Sequence, residues 1–263
     1  MLFFDLLINT FEAFNYQLTI RLLMMYRIIP ILIIVLFSFS SYESSRNDFR
    51  DVKTKSVASN RSNSLEFRCK SVYEAIDSNQ FSLPKFDVFL AAFQGYEAIK
   101  QQGRLNNDLL TVIDFSLPST EERLWVIDMQ CQQVVLKSLV AHGRNSGSAY
   151  ATDFSNEKES FKSSLGFYLT GEVYNGKHGM SMRLDGLEYG INHKARERAV
   201  VVHGAEYVNE KLAQKQGYIG RSLGCPAVPI AVHLQLIQLI KNKSCLFIYH
   251  PSHKNFQATK LLS

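Results

Sequence analysis

The sequence predicts a β-rich α+β domain in which short strands form a sheet and helices flank it. Short runs of β-branched and aliphatic residues, separated by glycine and asparagine, recur between residues 119 and 250. Apolar residues at helical spacing stand before and after these runs. With 46% hydrophobic residues, the 263-residue chain can bury a substantial core. Because no internal repeat and no glycine-rich dinucleotide fingerprint interrupts this order, the α+β class is favoured.

The N-terminal segment, residues 1–41, differs from the rest of the chain. Its apolar run IIPILIIVLFSF, residues 28–39, follows two arginines and leads into serines, which is the order of a secretory signal peptide. The run is shorter than the roughly 20 residues that a helix needs to cross a bilayer. We therefore expect export by a signal peptide, with an N-terminal membrane anchor as the alternative. Methionines at positions 24 and 25 make residues 1–23 a candidate over-called start.

A polar linker and a helical lead-in follow this segment. Residues 42–64 are rich in serine, asparagine and charge and have no hydrophobic period, which indicates a linker. Residues 65–118 are predicted as a helical lead-in packed on the main domain. Within them, apolar residues recur at steps of three and four, which predicts two short amphipathic helices, broken near Pro84 and ended near Gly103.

The main domain, residues 119–263, is predicted to hold the strands. Residues 123–143, RLWVIDMQCQQVVLKSLVAHG, predict a hairpin with a polar turn between positions 128 and 133. PIAVHLQLIQLIKNK, residues 229–243, returns to helical spacing and has a proline suited to a first turn. Four further strands are predicted: GFYLTGEVY from Gly166, MSMRLDGLEYG from Met180, RAVVVHG from Arg198 and CLFIYH from Cys245.

Charge and cysteine content limit the partners and sites that we expect. The net charge is +5 and the basic residues are scattered, so no block suited to a phosphate backbone exists and we expect no nucleic-acid partner. Membrane contact is expected only through the N-terminal segment. The four cysteines fit neither a CxxC pair nor a zinc ribbon. We expect no metal and no cofactor. Cys69 and Cys131 form either one disulfide or two buried thiols, and Cys245 is expected to be buried and inert. No oligomeric state is indicated.

His203 and Cys225 are the candidate reactive pair. His203 ends the apolar run AVVV, so a buried strand would deliver its ring to the sheet edge. Cys225 stands in the turn SLGCP, and a cysteine nucleophile needs a nearby base and N–H donors for the oxyanion. Gly224 allows a sharp turn, and its N–H and that of Cys225 are candidate oxyanion donors. Ser222 is expected to hydrogen-bond within the turn or to line the site. Taken singly, either member of the pair is more often a structural residue.

These residues resemble the L,D-transpeptidase catalytic-domain family of bacterial cell walls. The resemblance lies in HG at 203–204 followed by SLGC at 222–225, in the branch where Pro-Ala-Val follows the cysteine. It extends over much of residues 85–250 through three further segments: AHGRNSG from Ala141, NGKHGMSMRLDGLEYGIN from Asn175 and ARERAVVVHGAEYV from Ala195. The family commonly carries an arginine just after the cysteine. Here PAVP follows, so a guanidinium role would fall to another residue, such as Arg221.

The resemblance implies a mixed β-sandwich with flanking helices and a location in the periplasm or cell envelope. It implies that Cys225 attacks the third residue of a peptidoglycan stem peptide, usually meso-diaminopimelate, and expels D-alanine, with His203 as general base and without a cofactor. The thioester would pass to an amine, giving a crosslink, or to water, which is L,D-carboxypeptidase action. The expected substrate-binding residues are His142, His178, Arg183, Gly204 and Arg221, of which His142 and His178 are also alternative bases.

Other classes remain open to a lesser degree. Papain-like enzymes place cysteine before histidine. Sortase-like transpeptidases share the order found here but need an arginine shortly after a TxxTC-type cysteine strand, which is absent. A zinc peptidase built on three histidines lacks HExxH. A wall-binding domain that keeps the fold without turnover is the non-enzymatic alternative.

Overall fold

Four helices and eight strands follow one another in the described part of the chain. The structure, a computed structural model, describes residues 65–252, so the predicted signal peptide at 1–41, the candidate over-called start and the linker at 42–64 lie outside it. The helices are α1 (Leu65–Ala75), α2 (Phe86–Gln101), α3 (Glu210–Gln216) and α4 (Ile230–Ile240). The strands are β1 (Leu109–Asp114), β2 (Leu124–Asp128), β3 (Gln133–Ser138), β4 (Gly166–Gly176), β5 (Gly179–Gly186), β6 (Val201–Gly204), β7 (Ala227–Val228) and β8 (Cys245–Tyr249).

All eight strands belong to one mixed sheet in the order β3-β2-β1-β8-β4-β5-β6-β7. The β1–β8 and β6–β7 pairs are parallel and the other pairs are antiparallel. Beyond β3, Ala141 donates its N–H to the carbonyl of Ala227 in β7 at 2.8 Å. The two ends of the sheet are thereby joined, and the sheet nearly closes into a barrel.

The sheet carries a hydrophobic core on each face. Because side chains alternate along a strand, neighbouring residues enter different cores. Val112 and Phe247 pack against α1 and α2, whereas Ile113 and Leu246 pack inside the curved sheet with α4. A smaller third cluster surrounds α3 and includes Ile219. The helical lead-in is therefore an integral cover of one sheet face.

The α+β class with a mixed sheet and flanking helices is confirmed. The two lead-in helices, the 123–143 hairpin, the four further strands and the C-terminal helix are all present. One difference is that β1 lies inside the stretch assigned to the helical lead-in, and it occupies the middle of the sheet. Five of its six residues are buried, so it lacks the alternation that marks a half-exposed strand.

Two further elements were absent from the sequence prediction. Helix α3 lies within the segment between His203 and Cys225, where the side chain of Asn209 caps its first turn by accepting the N–H of Leu212. Gly217, at φ 76°, ends it in the left-handed conformation. Strand β7 is only two residues long. Each is too short to produce a recognisable hydrophobic period.

Cys69 and Cys245 are buried, Cys131 is exposed in the β2–β3 turn, and residues 65–252 contain no disulfide. Cys69 and Cys131 therefore form neither a disulfide nor a pair of buried thiols, because both are free and only Cys69 is buried. Within the same residues, no helix is long and apolar enough to cross a membrane.

Close packing between α2 and β4 makes Gly95 a sensitive position. A Cβ at Gly95 would lie 2.1 Å from the ring of Phe167 in β4, which is fully buried. We expect Gly95→Val to lower the free energy of unfolding by about 1–3 kcal/mol through overpacking, measured by chemical denaturation. Gln94→Val, at a partly exposed position of the same helix, is the control and should cost less. Equal costs would contradict the packing argument.

Candidate active site

Strand β6 and the turn before β7 line a cavity of about 390 Å³. His178, His203, Ser222 and Cys225 lie in its wall together with Lys177, Ser181, Arg198 and Arg221. The lining also includes Tyr174 and Tyr207 but no aspartate or glutamate from the described residues. The cavity therefore has a cationic and aromatic wall.

The strand register brings the candidate nucleophile beside the candidate base. His203 pairs with Ala227 in the parallel β6–β7 ladder, so Cys225, two residues earlier, falls beside Val201. Val201 donates its N–H to the Cys225 sulfur at 3.4 Å. Because Val201 and His203 are two residues apart on one strand, their side chains share a face. His203 and Cys225 thus open on the same cavity although 22 positions separate them in the sequence.

The His203 ring has a defined orientation and tautomer. Its Nδ1 lies 2.9 Å from the carbonyl oxygen of Gly204, and a carbonyl oxygen can only accept a hydrogen bond. The neutral ring therefore carries its proton on Nδ1, as assigned from this partner, and presents the lone pair of Nε2. Burial lowers the pKa of His203, the bond to Gly204 opposes that shift, and the nearby His178, Lys177 and His233 reinforce it. Neutral imidazole is the form that accepts a proton.

His178 lies at the tip of the β4–β5 hairpin and stacks on His203. The ring centroids are 4.5 Å apart and the planes differ by 21°. Ser181, on the same hairpin, pairs with His203 in the β5–β6 ladder. The hairpin therefore supports the base from one side.

The Ser222–Cys225 turn is fixed by hydrogen bonds of its own. Ser222 Oγ donates to the carbonyl of Cys225 at 2.6 Å and accepts the N–H of Gly224 at 3.0 Å. Gly224 has φ 120°, and a Cβ there would lie 2.8 Å from the carbonyl oxygen of Lys162, so glycine is required. In this conformation the Gly224 N–H, expected as an oxyanion donor, is donated to Ser222 Oγ.

Cys225 is half-buried and its thiol is hydrogen-bonded to main chain. Besides accepting from Val201, the thiol donates to the carbonyl of Ala199 at 3.7 Å. Burial raises the pKa of the Cys225 thiol, while the Val201 N–H and the positive charges of Arg198 and Lys177 oppose this. Within residues 65–252 no hydrogen bond joins the sulfur to the His203 ring. The resting pair is therefore a neutral thiol and a neutral imidazole.

Three residues expected to bind substrate do not line the cavity. Arg183 pairs with Glu172 at 3.0 Å and lies over the Tyr174 ring. Gly204 was expected to leave open space beside the base, but a Cβ there would lie 2.7 Å from the His233 ring of α4, so its small size serves packing.

His142, the third of these residues, is completely buried beside Arg123. Arg123 Nη2 lies 2.8 Å from His142 Nδ1, and since a guanidinium only donates, Nδ1 accepts. His142 Nε2 then donates to the carbonyl of Gly147 at 3.3 Å. Burial and Arg123 lower the pKa of His142 to about 4, so a role as alternative base is unsuited to it.

The Arg123–His142 pair supports the nucleophile turn from behind. Arg123 is itself fully buried and donates to the carbonyls of Val140 and Leu117. The His142 carbonyl accepts the N–H of Ser222 at 3.0 Å. His142 thus contributes to the scaffold behind the turn and does not line the cavity.

The sequence predicted no functional role for Arg198, Lys177, Tyr174 or Tyr207, all of which line the cavity. Burial raises the pKa of Tyr207 to about 12, so it is a neutral phenol. The usable signal was their position in the sequence: Tyr174 directly precedes NGKHG, which contains Lys177, and ARERAVVVHGAEYV contains Arg198 and Tyr207. Among the described residues, no group of three or more histidine, cysteine, aspartate or glutamate side chains is arranged to hold a metal ion.

Comparisons with known proteins match the same region. Residues 81–249, more than half of the chain, match the family model of the L,D-transpeptidase catalytic domain. No curated protein matches the sequence.

Solved structures with some likeness include an L,D-transpeptidase from Mycobacterium smegmatis, with 14% identity, a TM-score of 0.34 and coverage of 54% of this chain and 59% of that one. A helical cell shape determining protein from Campylobacter jejuni has 13% identity, a TM-score of 0.37 and coverage of 61% and 56%. An L,D-transpeptidase from Stackebrandtia nassauensis has 11% identity, a TM-score of 0.33 and coverage of 71% and 89%. This chain thus spans less than two thirds of the length of the first two.

Burial of His142 predicts a pH-dependent stability. Since the folded pKa of about 4 lies below the ordinary 6.5, the unfolded state binds a proton between these values that the folded state does not. The contribution of neutral His142 to the free energy of unfolding is therefore fully present above pH 6.5. It falls by about 3 kcal/mol as the pH drops towards 4.

We expect His142→Gln to reduce this slope when denaturant unfolding is followed from pH 7 to 4. His193→Gln removes an exposed imidazole that does not line the cavity and should keep the wild-type slope. An unchanged slope in His142→Gln would show that the buried imidazole does not contribute.

Proposed function

We propose, on the premise that the chain belongs to the L,D-transpeptidase catalytic domain family, that it is an exported cysteine acyltransferase acting on peptidoglycan stem peptides. In this proposal Cys225 is the nucleophile and His203 the general base. The observation that supports it most is the β6–β7 register, which opens both side chains on one cavity. The Pro-Ala-Val that follows Cys225 supports placement in the branch of the family with that sequence.

The first step is transfer of the thiol proton to His203 Nε2. The hydrogen bond from Nδ1 to Gly204 keeps Nε2 unprotonated in the neutral ring and stabilises the imidazolium that forms. The thiol must leave its main-chain partners for this transfer, and catalytic hydrogen bonds often tighten only when substrate binds. A neutral pair that reacts on substrate arrival fits the raised pKa of Cys225 and the lowered pKa of His203.

The sulfur then attacks the carbonyl of the third stem residue. The N–H of Cys225 is the remaining main-chain candidate for the oxyanion, because Ser222 accepts that of Gly224. Ser222 positions the turn by holding both ends of it. When the tetrahedral intermediate collapses, the C–N bond breaks, His203 returns the proton to the departing amine of D-alanine, and a thioester remains.

The thioester is consumed by an acceptor. An amine of a neighbouring stem gives a crosslink, with His203 removing the proton of the attacking amine, while water gives a carboxypeptidase product. The thioester retains the acyl-transfer potential of the cleaved amide, so the exchange needs no nucleotide.

Charge in the cavity suits a stem peptide. Lys177, His178 and Arg221 line the wall, which carries no carboxylate from the described residues. Arg221 donates to the Gly147 carbonyl at 3.1 Å and retains further N–H groups for a substrate carboxylate. We therefore place Arg221 and His178 in substrate binding, and we expect the predicted N-terminal segment to deliver the domain to the cell envelope.

Replacing the nucleophile tests the proposal. We expect Cys225→Ala to lower the formation of 3–3 crosslinks and of tripeptide stems below about a thousandth of the wild-type rate, measured by mass spectrometry of muropeptides. Cys131→Ala, which removes an exposed thiol on the β2–β3 turn, is the matched control and should retain activity.

The products also identify the acceptor. Crosslinks support transpeptidation, and tripeptides alone support carboxypeptidase action. Unchanged products with Cys225→Ala would refute the enzymatic proposal and favour a wall-binding domain.

The lowered pKa of His203 predicts the acid limb of the pH profile. Because Nε2 must be unprotonated, kcat/KM should hold its plateau as the pH falls through 6.5 and decline only at lower pH. His178→Gln removes one of the positive neighbours that lower this pKa, so its acid limb should move to higher pH. A wild-type limb above pH 6.5 would conflict with a buried His203 as base.

A further inference from the structure

We infer that Arg198 is a positioning residue for Cys225, whose guanidinium fixes the main chain that supports the nucleophile turn and presents an unpaired positive charge to the cavity that holds the sulfur. The inference rests on the proposed role of Cys225 as a nucleophile. Neither the family match nor the sequence motifs assign a function to Arg198.

The guanidinium binds one serine-rich segment, residues 155–164. Nη1 donates to the carbonyl of Ser155 at 2.7 Å and to Ser164 Oγ at 3.2 Å. Nη2 donates to the carbonyl of Lys162 at 2.6 Å and to Ser160 Oγ at 3.3 Å. A single planar fork thus holds four oxygens of a segment that has no regular secondary structure.

The same segment contacts the nucleophile turn directly. Ser163 Oγ donates to the carbonyl of Gly224 at 3.2 Å and accepts the N–H of Gly143 at 3.0 Å. A Cβ at Gly224 would lie 2.8 Å from the Lys162 carbonyl and 3.4 Å from Arg198 Nη2. Displacing the guanidinium would therefore release the surface against which the residue before Cys225 packs.

The charge of Arg198 has no close counter-ion within residues 65–252. No carboxylate oxygen of this part of the chain lies within 4.0 Å of it, and its hydrogen-bond acceptors are neutral carbonyls and hydroxyls. Arg196, two positions earlier, forms ion pairs with Glu172 and Asp185. Glu157 acts on this half-buried cation without contacting it, so a closer anion is favoured, and a thiolate at Cys225 would be one.

Ala199, the residue after Arg198, links Arg198 to the thiol of Cys225. Ala199 has φ 53°, an uncommon conformation for a residue with a side chain, and its carbonyl accepts the thiol hydrogen bond. The other titratable groups in this wall are Tyr174, Lys177, His178, His203, Tyr207 and Arg221. Lys177 also favours the thiolate, but it is exposed at the hairpin tip, and Arg221 is exposed and tied to Gly147.

Alkylation of Cys225 across pH tests the inference without substrate. The rate of carbamidomethylation by iodoacetamide, followed on the purified full chain by peptide mass mapping of Cys225, gives the apparent pKa of the thiol. We expect Arg198→Met to raise that pKa by about one unit or more and Arg198→Lys to raise it less, because lysine keeps the charge but not the fork. Arg196→Met is the matched control and should reproduce the wild-type profile.

Each outcome separates a charge role from a merely structural one. If Arg198→Met lowers the melting temperature but leaves the alkylation profile of Cys225 unchanged, the inference is overturned. If Arg198→Met does not fold, Arg198→Lys provides the test. Because lysine retains the charge, a rise of a full unit in the pKa of Cys225 would overturn the inference, and a smaller rise would support it. Loss of turnover in Cys225→Ala is scored separately, so failure of the proposed function is recognised independently of the alkylation result.

Discussion

The two-residue parallel pairing of β6 with β7 is the constraint on which the candidate site depends. It sets Cys225 beside Val201 and therefore on the same cavity as His203. So short a strand is held because Ala227 pairs with His203 on one side and with Ala141 on the other. The Arg123–His142 pair fixes that second partner, and the segment held by Arg198 supports the adjoining turn. The reactive turn is thus clamped between main-chain segments from three parts of the sequence.

Much of the fold could be predicted because its elements follow simple periods. The hairpin of β2 and β3 and the helices α2 and α4 carry alternation or helical spacing strong enough to read directly. β1 could not be placed in this way, because a strand buried on both faces loses alternation. β7 is stabilised by pairing with β6 and Ala141, and α3 by its caps. Neither feature produces a periodic pattern of hydrophobic residues in the sequence.

The candidate site could be predicted in part, because five of the residues that line the cavity were named from the sequence: His178, His203, Arg221, Ser222 and Cys225. His203, Cys225 and Ser222 were identified from a dipeptide and a turn motif, and the structure opens all three on one cavity. The partners of these residues were not accessible, since they are main-chain groups: the Gly204 carbonyl that orients the base and the Val201 N–H that binds the sulfur. Almost every residue has a main-chain N–H and a carbonyl, so the residue type at a position does not show that its main chain binds a site residue. Arg198 and Arg123 escaped notice for a related reason, because arginine in a sequence gives no sign of whether it is buried.

The position of β1 between β2 and β8 also bears on how the domain is made. The parallel β1–β8 pair joins residues that lie 245 − 110 = 135 positions apart in the sequence, from Leu110 with Cys245 to Asp114 with Tyr249. Such long-range pairing forms slowly, because a large loop must close before any contact forms. During synthesis from the N-terminus, the centre of the sheet stays open until the last strand has emerged. The sheet can therefore form completely only after β8 has been synthesised. A translocation route that requires an unfolded chain would have the time of synthesis up to that point in which to engage it.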